Sequence, residues 1–538
     1  MNETSNYDRA RQWSRVESER GPWDMAIIGG GATGVGVAID AATRGYRVVL
    51  CEQHDFGKGT SSRSTKLVHG GVRYLKQGHI GLVRSALHER GLLRQNAPHL
   101  VHPLPNIVPL YSRWEGPYYG FGMKVYDWLS GRLSLGRSER LTAAQTTNRI
   151  SSIQQRDLRG GVLYWDAQFD DARLLINMMQ TAIDCGAICV NYAPVRELIK
   201  QTGRIEGLIV EDAETGKSVR VAARVVVNAT GPFSDAIRRL DDPSAELAIA
   251  ASQGIHIVLD GRFLPGETAL MVPKTRDGRV IFAIPWHGHT MIGSTDSPIS
   301  DAPLEPRPQP AEIEFLLETV APYLSPSPQA SDIRSTWAGV RPLFRSSATA
   351  NTAKLGRDHV IRVSPNGLVS ILGGKWTSYR KMAQDCVDRA AEIGGLKPSL
   401  CRTHDLPIHG AERRLGYQPI FAEYGADGPA LEQLSKAQPQ WHRPLIDRLP
   451  GRAGQVIWAA RHEMARTVED VLARRLRLLF LDAEAAIAAA PHVAELLAAE
   501  LGRDDSWQRD QVEQFREVAQ NYRINSATNH GPVSSPRP

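Results

Sequence analysis

The sequence predicts an α/β protein of about two or three domains whose C-terminal part is helical. Three observations lead to this prediction. The chain has 538 residues, too many for one compact core. A βαβ unit lies near the start, with apolar strands at 25–28 and 46–51 around a small-residue helix at 32–44. Beyond about residue 400 the strand signals stop, and Arg- and Ala-rich helical sequence takes over.

The remaining elements follow from hydrophobic periodicity and from turn signals rich in glycine and proline. Strands are predicted at 207–211, 225–228, 254–259, 280–284 and 368–372, and helices at 81–95, 171–185, 311–320 and 377–392. The polar residues 1–21 are predicted to be flexible, and residues 526–538 have the composition of a disordered tail.

The amino-acid composition excludes several classes of protein. With 42% hydrophobic and 23% charged residues, the chain is an ordinary globular protein. Its 5 cysteines are too few for a disulfide framework and indicate a reducing, cytoplasmic environment. The net charge of +6 permits contact with an anionic surface, but the Lys and Arg residues are scattered, so no nucleic-acid partner is expected. Neither a signal peptide nor a membrane-spanning run of about 18 apolar residues is expected.

A dinucleotide-binding fingerprint occupies the first strand–helix turn. Gly29, Gly31 and Gly34 form G-x-G-x-x-G, and Glu52 ends the second strand. The first glycine permits a tight turn, the second lets the backbone approach a pyrophosphate, and the third allows close helix–strand packing. Glu52 can accept hydrogen bonds from ribose hydroxyls and would repel the extra phosphate of NADP. The motif itself leaves NAD and FAD open.

Three later features favour FAD. A hydroxyl-rich loop directly after Glu52 can bind a pyrophosphate and a flavin ring, where an NAD-binding domain continues with another helix and strand. An apolar strand then ends in Ala-Thr-Gly at Gly231, and a further strand passes through glycines into a helix whose N-terminus can stabilise a reduced flavin. The predicted cofactor contacts in these features are Thr60, Ser61, Ser62, Ser64, Lys66, Leu67, His69, Gly70, Gly71, Gly231, Gly374, Lys375, Trp376 and Thr377.

In this order the motifs resemble the FAD-dependent glycerol-3-phosphate dehydrogenase family. The resemblance is carried by residues 29–34, 60–75, 170–174, 228–232, 284–286, 293–296, 339–343 and 373–380. It implies a Rossmann-type FAD-binding domain like those of glycine oxidase and glutathione reductase, an inserted mixed-sheet substrate cap and a C-terminal helical domain. The oxidoreductase region is then 22–400, with FAD binding at 22–90, 171–245 and 335–400, the cap at 91–170 and 246–334, and the helical domain at 401–525.

Oxidising a phosphorylated secondary alcohol requires cations for the phosphate and a base for the hydroxyl proton. By resemblance, Arg73, Arg341, Arg357 and Lys375 surround the substrate, with Thr377 as a further contact and Tyr74 beside Arg73 in the pocket. We expect His256 to be the base. His69 is a rival, but its place in the glycine loop suggests flavin contact, and covalent attachment through it stays open.

Other groups of residues give weaker evidence of a functional site. His287 and His289 suggest a metal, but no third ligand follows at a suitable spacing, so no metal is expected. Asp170 and Asp171 precede an apolar helix and predict an N-cap. Residues 464–480 place apolar side chains on one helical stripe with arginines off it, which is typical of a core-facing helix and also of one that lies on an anionic membrane.

The predicted function is oxidation of sn-glycerol 3-phosphate to dihydroxyacetone phosphate by hydride transfer to flavin N5, in glycerol catabolism. The resemblance implies a quinone acceptor, a location in the cytoplasm or on the inner face of the cell membrane, and a homo-oligomer such as a dimer. The alternatives are an oxygen-reducing glycerophosphate oxidase and an amine or amino-acid oxidase of the same fold.

Overall fold

A computed structural model describes residues 5–71, 78–276, 278–345, 359–411, 419–447 and 449–524. Its first sheet has the order β17-β18-β10-β1-β2-β7, in which β1 pairs in parallel with both β10 and β2, and β8 and β9 extend β10 as antiparallel strands. These strands are β1 Trp23–Ile28, β2 Val48–Cys51, β7 Ile188–Val190, β8 Val195–Gln201, β9 Arg204–Glu211, β10 Ser218–Asn228, β17 His359–Val363 and β18 Val369–Gly373. The parallel centre is buried on both faces, so its strands are continuous apolar runs.

The second sheet forms the cap, with the order β15-β11-β14-β13-β12-β4-β6-β3 and with β16 paired to β11 and β5 to β6. Its strands are β3 Leu67–Val68, β4 Val101–Leu110, β5 Glu139–Leu141, β6 Gly160–Phe169, β11 Ile249–Asp260, β12 Ala269–Val272, β13 Ile281–Trp286, β14 His289–Gly293, β15 Ser297–Pro298 and β16 Ile333–Phe344. The sheet is mixed, because β12 pairs in parallel with β4 and the other pairs are antiparallel.

Helices cover the first sheet, flank the cap and make up the C-terminal region. They are α1 Arg9–Ser18, α2 Ala32–Thr43, α3 Ile80–Asn96, α4 Glu115–Ser130, α5 Ala143–Arg149, α6 Asp171–Asp184, α7 Ser234–Asp241, α8 Pro310–Val320, α9 Tyr379–Ile393, α10 Gly428–Ala437, α11 Ala453–His462, α12 Leu478–Leu481, α13 Ala483–Leu501 and α14 Asp505–Ala519. The predicted fold class is confirmed. Among the described residues, no helix is long and apolar enough to cross a membrane.

The structure corrects two boundary predictions. The start of the chain, predicted to be flexible over residues 1–21, contains α1, because Trp13 and Val16 are buried against the first sheet and Arg9 pairs with Asp212 at 2.6 Å. Residues 335–400 are predicted to bind FAD, but β16 belongs to the cap sheet as far as Phe344, since it pairs with β11 from Ile249 to Leu259.

Residues 464–480 do not form the predicted amphipathic helix. A π-helical turn at Asp470–Arg475 and the short α12 replace it. Of the arginines expected at its polar face, Arg474 and Arg477 have only 3% of their side-chain surface exposed and pair with carboxylates of the FAD-binding domain, whereas Arg466 has 19% exposed and pairs with Glu214. The segment therefore packs against the rest of the protein and does not form an amphipathic helix with a solvated arginine face.

Candidate active site

A cavity of about 610 Å³ opens where the first sheet meets the cap. Ile28, Cys51 and Gly373, which end β1, β2 and β18, form one wall, and residues of β11 and β16 form the opposite wall. Ligands of open α/β sheets bind at the carboxyl ends of the strands, and this volume lies within the usual range of about 300–1,000 Å³ for ligand pockets. The cavity is therefore the candidate site.

The glycine fingerprint gives this cavity a backbone wall. Gly29 has φ of 108°, and a Cβ atom there would lie 2.8 Å from the Ala229 carbonyl oxygen. A Cβ on Gly34 would lie 1.9 Å from the Gly29 oxygen, so this glycine allows the close helix–strand packing expected of it. Gly31 lines the cavity just before α2, and the Ala32 amide donates to Ser61 Oγ at 3.0 Å. A helix N-terminus that begins in glycines and carries a hydroxyl beside its first amide suits a pyrophosphate.

Glu52 lines the same wall. Its carboxylate accepts hydrogen bonds from the Gly30 amide at 2.5 Å and the His54 amide at 2.9 Å. Burial raises the pKa of Glu52 above its usual value, and the two amides act in the opposite direction. The carboxylate is thus fixed beside the glycine turn, in the position predicted for an acceptor of ribose hydroxyls.

The hydroxyl-rich loop divides into two sets of residues. Thr60, Ser61, Ser64, Leu67 and His69 line the cavity, whereas Ser62, Lys66, Gly70 and Gly71 are not among its lining residues. The prediction that Lys66 contacts the cofactor is wrong. Its side chain is fully buried behind the loop, with Nζ 2.7 Å from Asp171 and 2.8 Å from the Ser62 carbonyl oxygen. Its φ of 59° accompanies this inward orientation. Lys66 therefore supports the loop and does not reach the cofactor space.

The last predicted cofactor element completes the wall. Gly374, Lys375, Trp376 and Thr377 all line the cavity, as does Gly231 after β10. Gly374 has φ of 84°, and the Trp376 indole donates to the Ser61 carbonyl oxygen at 2.9 Å. This hydrogen bond joins the glycine turn after β18 to the hydroxyl-rich loop across the cavity.

Arg341 presents a fixed positive charge at the cap wall. One terminal nitrogen donates to Ser294 Oγ at 2.7 Å and to the Thr295 carbonyl oxygen at 2.9 Å, and Asp296 lies 3.4 Å from the other. Gly254 makes room for this guanidinium, because a Cβ atom there would lie 2.3 Å from Arg341 Nη2. The missing side chain in β11 therefore creates the space that Arg341 fills.

His256 lies two residues further along β11, in the same wall. Its ring stacks on Trp337 with centroids 4.0 Å apart, and Nε2 lies 3.0 Å from Thr65 Oγ1. Burial, and then the charges of Lys66 and Arg341, lower the pKa of His256 well below its usual value. Gly293 faces this ring across the strands, and a Cβ atom there would lie 2.2 Å from His256 Cδ2. The imidazole is thus held neutral and in one orientation.

Comparison with known proteins identifies the family. A family model described as FAD dependent oxidoreductase matches residues 24–380, and one described as the C-terminal domain of alpha-glycerophosphate oxidase matches residues 401–508. The chain is 41% identical to a probable mitochondrial glycerol-3-phosphate dehydrogenase of Caenorhabditis elegans, over 94% of this chain and 75% of that protein. It is 38% identical to the mitochondrial glycerol-3-phosphate dehydrogenase of Homo sapiens, over 92% of this chain and 72% of that protein. The chain belongs to the FAD-dependent glycerol-3-phosphate dehydrogenase family.

Solved structures agree with this membership. The glycerol-3-phosphate dehydrogenase of Bacillus halodurans, solved in complex with FAD, is similar with a TM-score of 0.78 and 27% identity, over 96% of this chain and 98% of that one. Glycine oxidase of Geobacillus kaustophilus has a TM-score of 0.52 and 17% identity, over 74% and 100%, and so shares the fold. FAD is the cofactor of the present protein, as of its family, and the glycine-walled cavity fits the pyrophosphate of FAD.

The structure leaves part of the predicted site undescribed and adds residues that the sequence did not indicate. Arg73, Tyr74 and Arg357 lie outside the described residues. Thr65, the hydrogen-bond partner of His256, was not predicted, although it stands in the middle of the predicted loop. Gly254 is predicted only as the first residue of the strand 254–259, which carries His256. Its role depends on the pairing of β11 with β16, which a single sequence does not reveal.

One group of possible ligating residues lies outside the cavity lining. Asp170, His287 and Glu423 come from the start of α6, the β13–β14 turn and the helical domain, and their ligand atoms lie within 4.8 Å of one another. His289, the other histidine of the predicted pair, instead places Nδ1 3.0 Å from the His287 carbonyl oxygen. The carboxylates next to His287 could not be found from spacing, because the chain brings them from distant segments.

Proposed function

We propose that this protein oxidises sn-glycerol 3-phosphate to dihydroxyacetone phosphate and passes the electrons to a membrane quinone. The observation that carries the proposal is that the fixed guanidinium of Arg341 and the buried, neutral imidazole of His256 share one wall of the cofactor cavity. Oxidation removes a hydride and a proton from the alcohol carbon and its hydroxyl. Bound FAD supplies the acceptor for the two electrons.

In this proposal Arg341 binds the substrate phosphate. Its contacts with Ser294, Thr295 and Asp296 fix the guanidinium before the substrate arrives, so little side-chain entropy is lost on binding. Lys375, with Thr377 beside it, lines the same cavity and provides a second cation. The family resemblance supports Arg73, Tyr74 and Arg357 as further contacts. Several cations are needed because the phosphate is a dianion.

His256 takes the hydroxyl proton in this proposal. A neutral imidazole can accept a proton, and the lowered pKa keeps it neutral over the physiological range. A bound dianion counteracts the charges of Lys66 and Arg341, which lower that pKa, so substrate binding itself makes the imidazole a stronger base. Thr65, in hydrogen-bond contact with Nε2 and at the cavity surface, connects the ring to the substrate space. The stacking on Trp337 excludes water from the ring face.

Single-turnover kinetics test the two roles separately. Under anaerobic conditions, Arg341→Ala should raise the half-saturating concentration of glycerol 3-phosphate, and His256→Ala should slow flavin reduction at saturating substrate by about 100–10,000-fold. Arg262→Ala is the matched control, because this cap arginine has 67% of its side chain exposed and pairs with Asp332. Wild-type saturation in the first variant, or wild-type reduction in the second, would remove that residue from the proposal.

An exposed aromatic face on α4 supports membrane contact. Trp114, Phe121 and Trp128 are 85%, 75% and 79% exposed, and Tyr118 is 57% exposed. Their spacing of three, four or seven residues puts them on one side of the helix. Exposed basic residues lie within α4 and close to its two ends in the sequence, namely Arg113, Lys124, Arg132 and Arg137. Aromatic side chains with flanking cations match the interface of an anionic bilayer, and a quinone dissolved there would be the electron acceptor.

Vesicle binding and electron transfer test this part. Trp114→Ser with Phe121→Ser should reduce sedimentation with anionic phospholipid vesicles and slow quinone reduction in those vesicles, without slowing anaerobic flavin reduction. Leu400→Ser is the matched control, because Leu400 is 87% exposed and belongs to the segment after α9, not to α4. Unchanged vesicle binding would exclude this face. A stoichiometric yield of peroxide in air, with no quinone reduction, would instead identify a glycerophosphate oxidase.

The location and the oligomeric state also belong to the proposal. The family resemblance supports attachment to the inner face of the cell membrane and a dimer. Light scattering on the detergent-solubilised protein measures the second, and a monomer mass would exclude it.

A further inference from the structure

The helical domain inserts three buried arginines into the FAD-binding domain. We define the arginine segment as residues 470–477, which comprise the π-helical turn Asp470–Arg475 and the two residues that follow it. Within it Arg474, Arg475 and Arg477 have 3%, 0% and 3% of their side-chain surface exposed. A buried guanidinium is stable only when charged and polar partners compensate it. The identity of those partners therefore shows what the segment holds in place.

Arg474 and Arg475 share one partner, Asp55, which follows the Glu52 strand end and is fully buried. Arg474 Nε lies 2.5 Å from Asp55 Oδ2, and Arg475 Nη2 lies 2.9 Å from Asp55 Oδ1. The same turn returns to the fingerprint, because the Gly57 amide donates to the Gly30 carbonyl oxygen at 3.1 Å. These two arginines thus fix the turn that joins Glu52 to the glycine fingerprint.

Arg477 contacts the hydroxyl-rich loop from behind. Its Nη2 donates to the Ser62 carbonyl oxygen at 2.9 Å and to Asp171 Oδ1 at 3.1 Å. Asp171 in turn accepts from the Ser64 amide at 2.9 Å and from Lys66 Nζ. Arg477 and Lys66 therefore hold the loop on the side opposite to the cavity, and Ser64 on the other side lines it.

We infer that the arginine segment is a cofactor-positioning element, through which the helical domain sets the affinity of the enzyme for FAD. None of the three arginines is among the lining residues of the cavity, so they act through Asp55, Ser62 and Asp171 and not by touching FAD. Without the three arginines, buried Asp55 would lose both of its cationic partners, and Asp171 would keep only Lys66, so the two loops would leave the FAD-binding conformation. The inference rests on FAD as the cofactor and is independent of the substrate proposed above.

The test is FAD affinity. Apoprotein of Arg477→Gln, Arg477→Lys and wild type is titrated with FAD, and binding is followed by quenching of protein fluorescence. Coupling between linked sites is typically about 5–150-fold, so Arg477→Gln should raise the dissociation constant for FAD by a factor in that range. Arg477→Lys keeps the charge but has no second terminal nitrogen to donate to the Ala473 carbonyl oxygen, as Nη1 does at 2.9 Å while Nη2 contacts Ser62 and Asp171, and should give an intermediate value.

A matched control separates positioning from general stability. Arg466 of the helical domain also forms a bidentate pair with the first domain, to Glu214 at 2.5 and 2.8 Å, but Glu214 does not line the cavity. Arg466→Gln should leave the FAD dissociation constant within twofold of wild type. The thermal midpoint should fall more for the FAD-bound form of Arg477→Gln than for its apo form. An unchanged FAD affinity, or equal falls in the two forms, would reduce the segment to a structural contact and overturn the inference.

Hydrogen exchange on the wild-type protein tests the inference if Arg477→Gln does not fold. Linkage is reciprocal, so FAD binding must stabilise the arginine segment as much as the segment stabilises FAD binding. Amides of residues 470–477 should exchange at least about 5-fold more slowly with FAD bound. Exchange that FAD does not change in this segment would contradict the proposal.

Discussion

Gly254→Ala is a sharp test of Arg341, because it displaces the guanidinium without replacing any charged residue. The new Cβ would lie 2.3 Å from Arg341 Nη2, whereas ordinary contacts of a Cβ atom begin at 3.4 Å. The guanidinium must therefore move by about 1.1 Å. The cost in folding free energy is confined to the hydrogen bonds from this guanidinium to Ser294 and Thr295, because the rest of the side chain is flexible and Gly254 has no left-handed φ that would strain an alanine.

The expected loss follows from the hydrogen bonds that a displaced guanidinium cannot make. A hydrogen bond to a charged group contributes about 1.5–3 kcal/mol, which corresponds to a factor of about 10–150. Gly254→Ala should therefore raise KM for glycerol 3-phosphate about 10–150-fold, with a thermal midpoint within a few degrees of wild type. Steady-state kinetics with a soluble electron acceptor, together with thermal unfolding, measure both quantities.

A double-mutant cycle provides the control. If Gly254 acts only by accommodating Arg341, the variant with both Gly254→Ala and Arg341→Ala should have the same KM as Arg341→Ala. A wild-type KM in Gly254→Ala would refute the argument that Arg341 must occupy this position to bind substrate. Additive effects of the two changes would show that Gly254 acts by another route.

Two predictions concern stability. Glu463→Gln removes the counter-charge of the buried guanidinium of Arg173 and should lower the free energy of unfolding, measured by urea titration, by about 3–5 kcal/mol. Arg262→Gln on the cap surface should lower it by less than about 1 kcal/mol, and equal losses in the two variants would contradict this. Burial lowers the pKa of His409, but hydrogen bonds to Asp184 and Asp427 outweigh it and raise that pKa to about 9. Because the folded pKa exceeds the unfolded one, this stabilisation, on the order of 2 kcal/mol, is complete below about pH 6.5 and is lost as the pH rises through about 9. His409→Gln should remove that pH dependence from thermal midpoints, and an unchanged dependence would contradict the assignment.

The cofactor half of the site could be predicted because its determinants are local. The glycine fingerprint, the strand before it and the helix after it lie within about 20 residues, and each glycine has a steric reason that is independent of the rest of the chain. Glu52 follows in the same βαβ unit. In the structure Gly29, Gly31 and Glu52 line one cavity wall, and Gly34 packs behind it against Gly29.

The substrate half depends on contacts between distant segments. Thr65 meets His256 across 191 residues of chain, and Gly254 faces Arg341 only through the β11–β16 pairing. Lys66 is predicted as a cofactor contact, but its ammonium pairs with the buried carboxylate of Asp171 on the far side of the loop.

The arginine segment shows a different limit of sequence reasoning. Its apolar stripe has the same period in a membrane helix, a surface helix and a fully buried turn, so the pattern cannot distinguish them. The deciding partner is Asp55, which lies 419 residues away from Arg474.

The central claim is that this chain oxidises glycerol 3-phosphate at its bound FAD, and anaerobic titration of the purified holoprotein tests it most directly. Adding sn-glycerol 3-phosphate without any other acceptor should bleach the visible flavin absorbance, until reduction is limited by the equilibrium with dihydroxyacetone phosphate. Glycerol, which lacks the phosphate, should not bleach it at the same concentrations. A flavin that stays oxidised with glycerol 3-phosphate, but is bleached by sarcosine or a D-amino acid, would contradict the account.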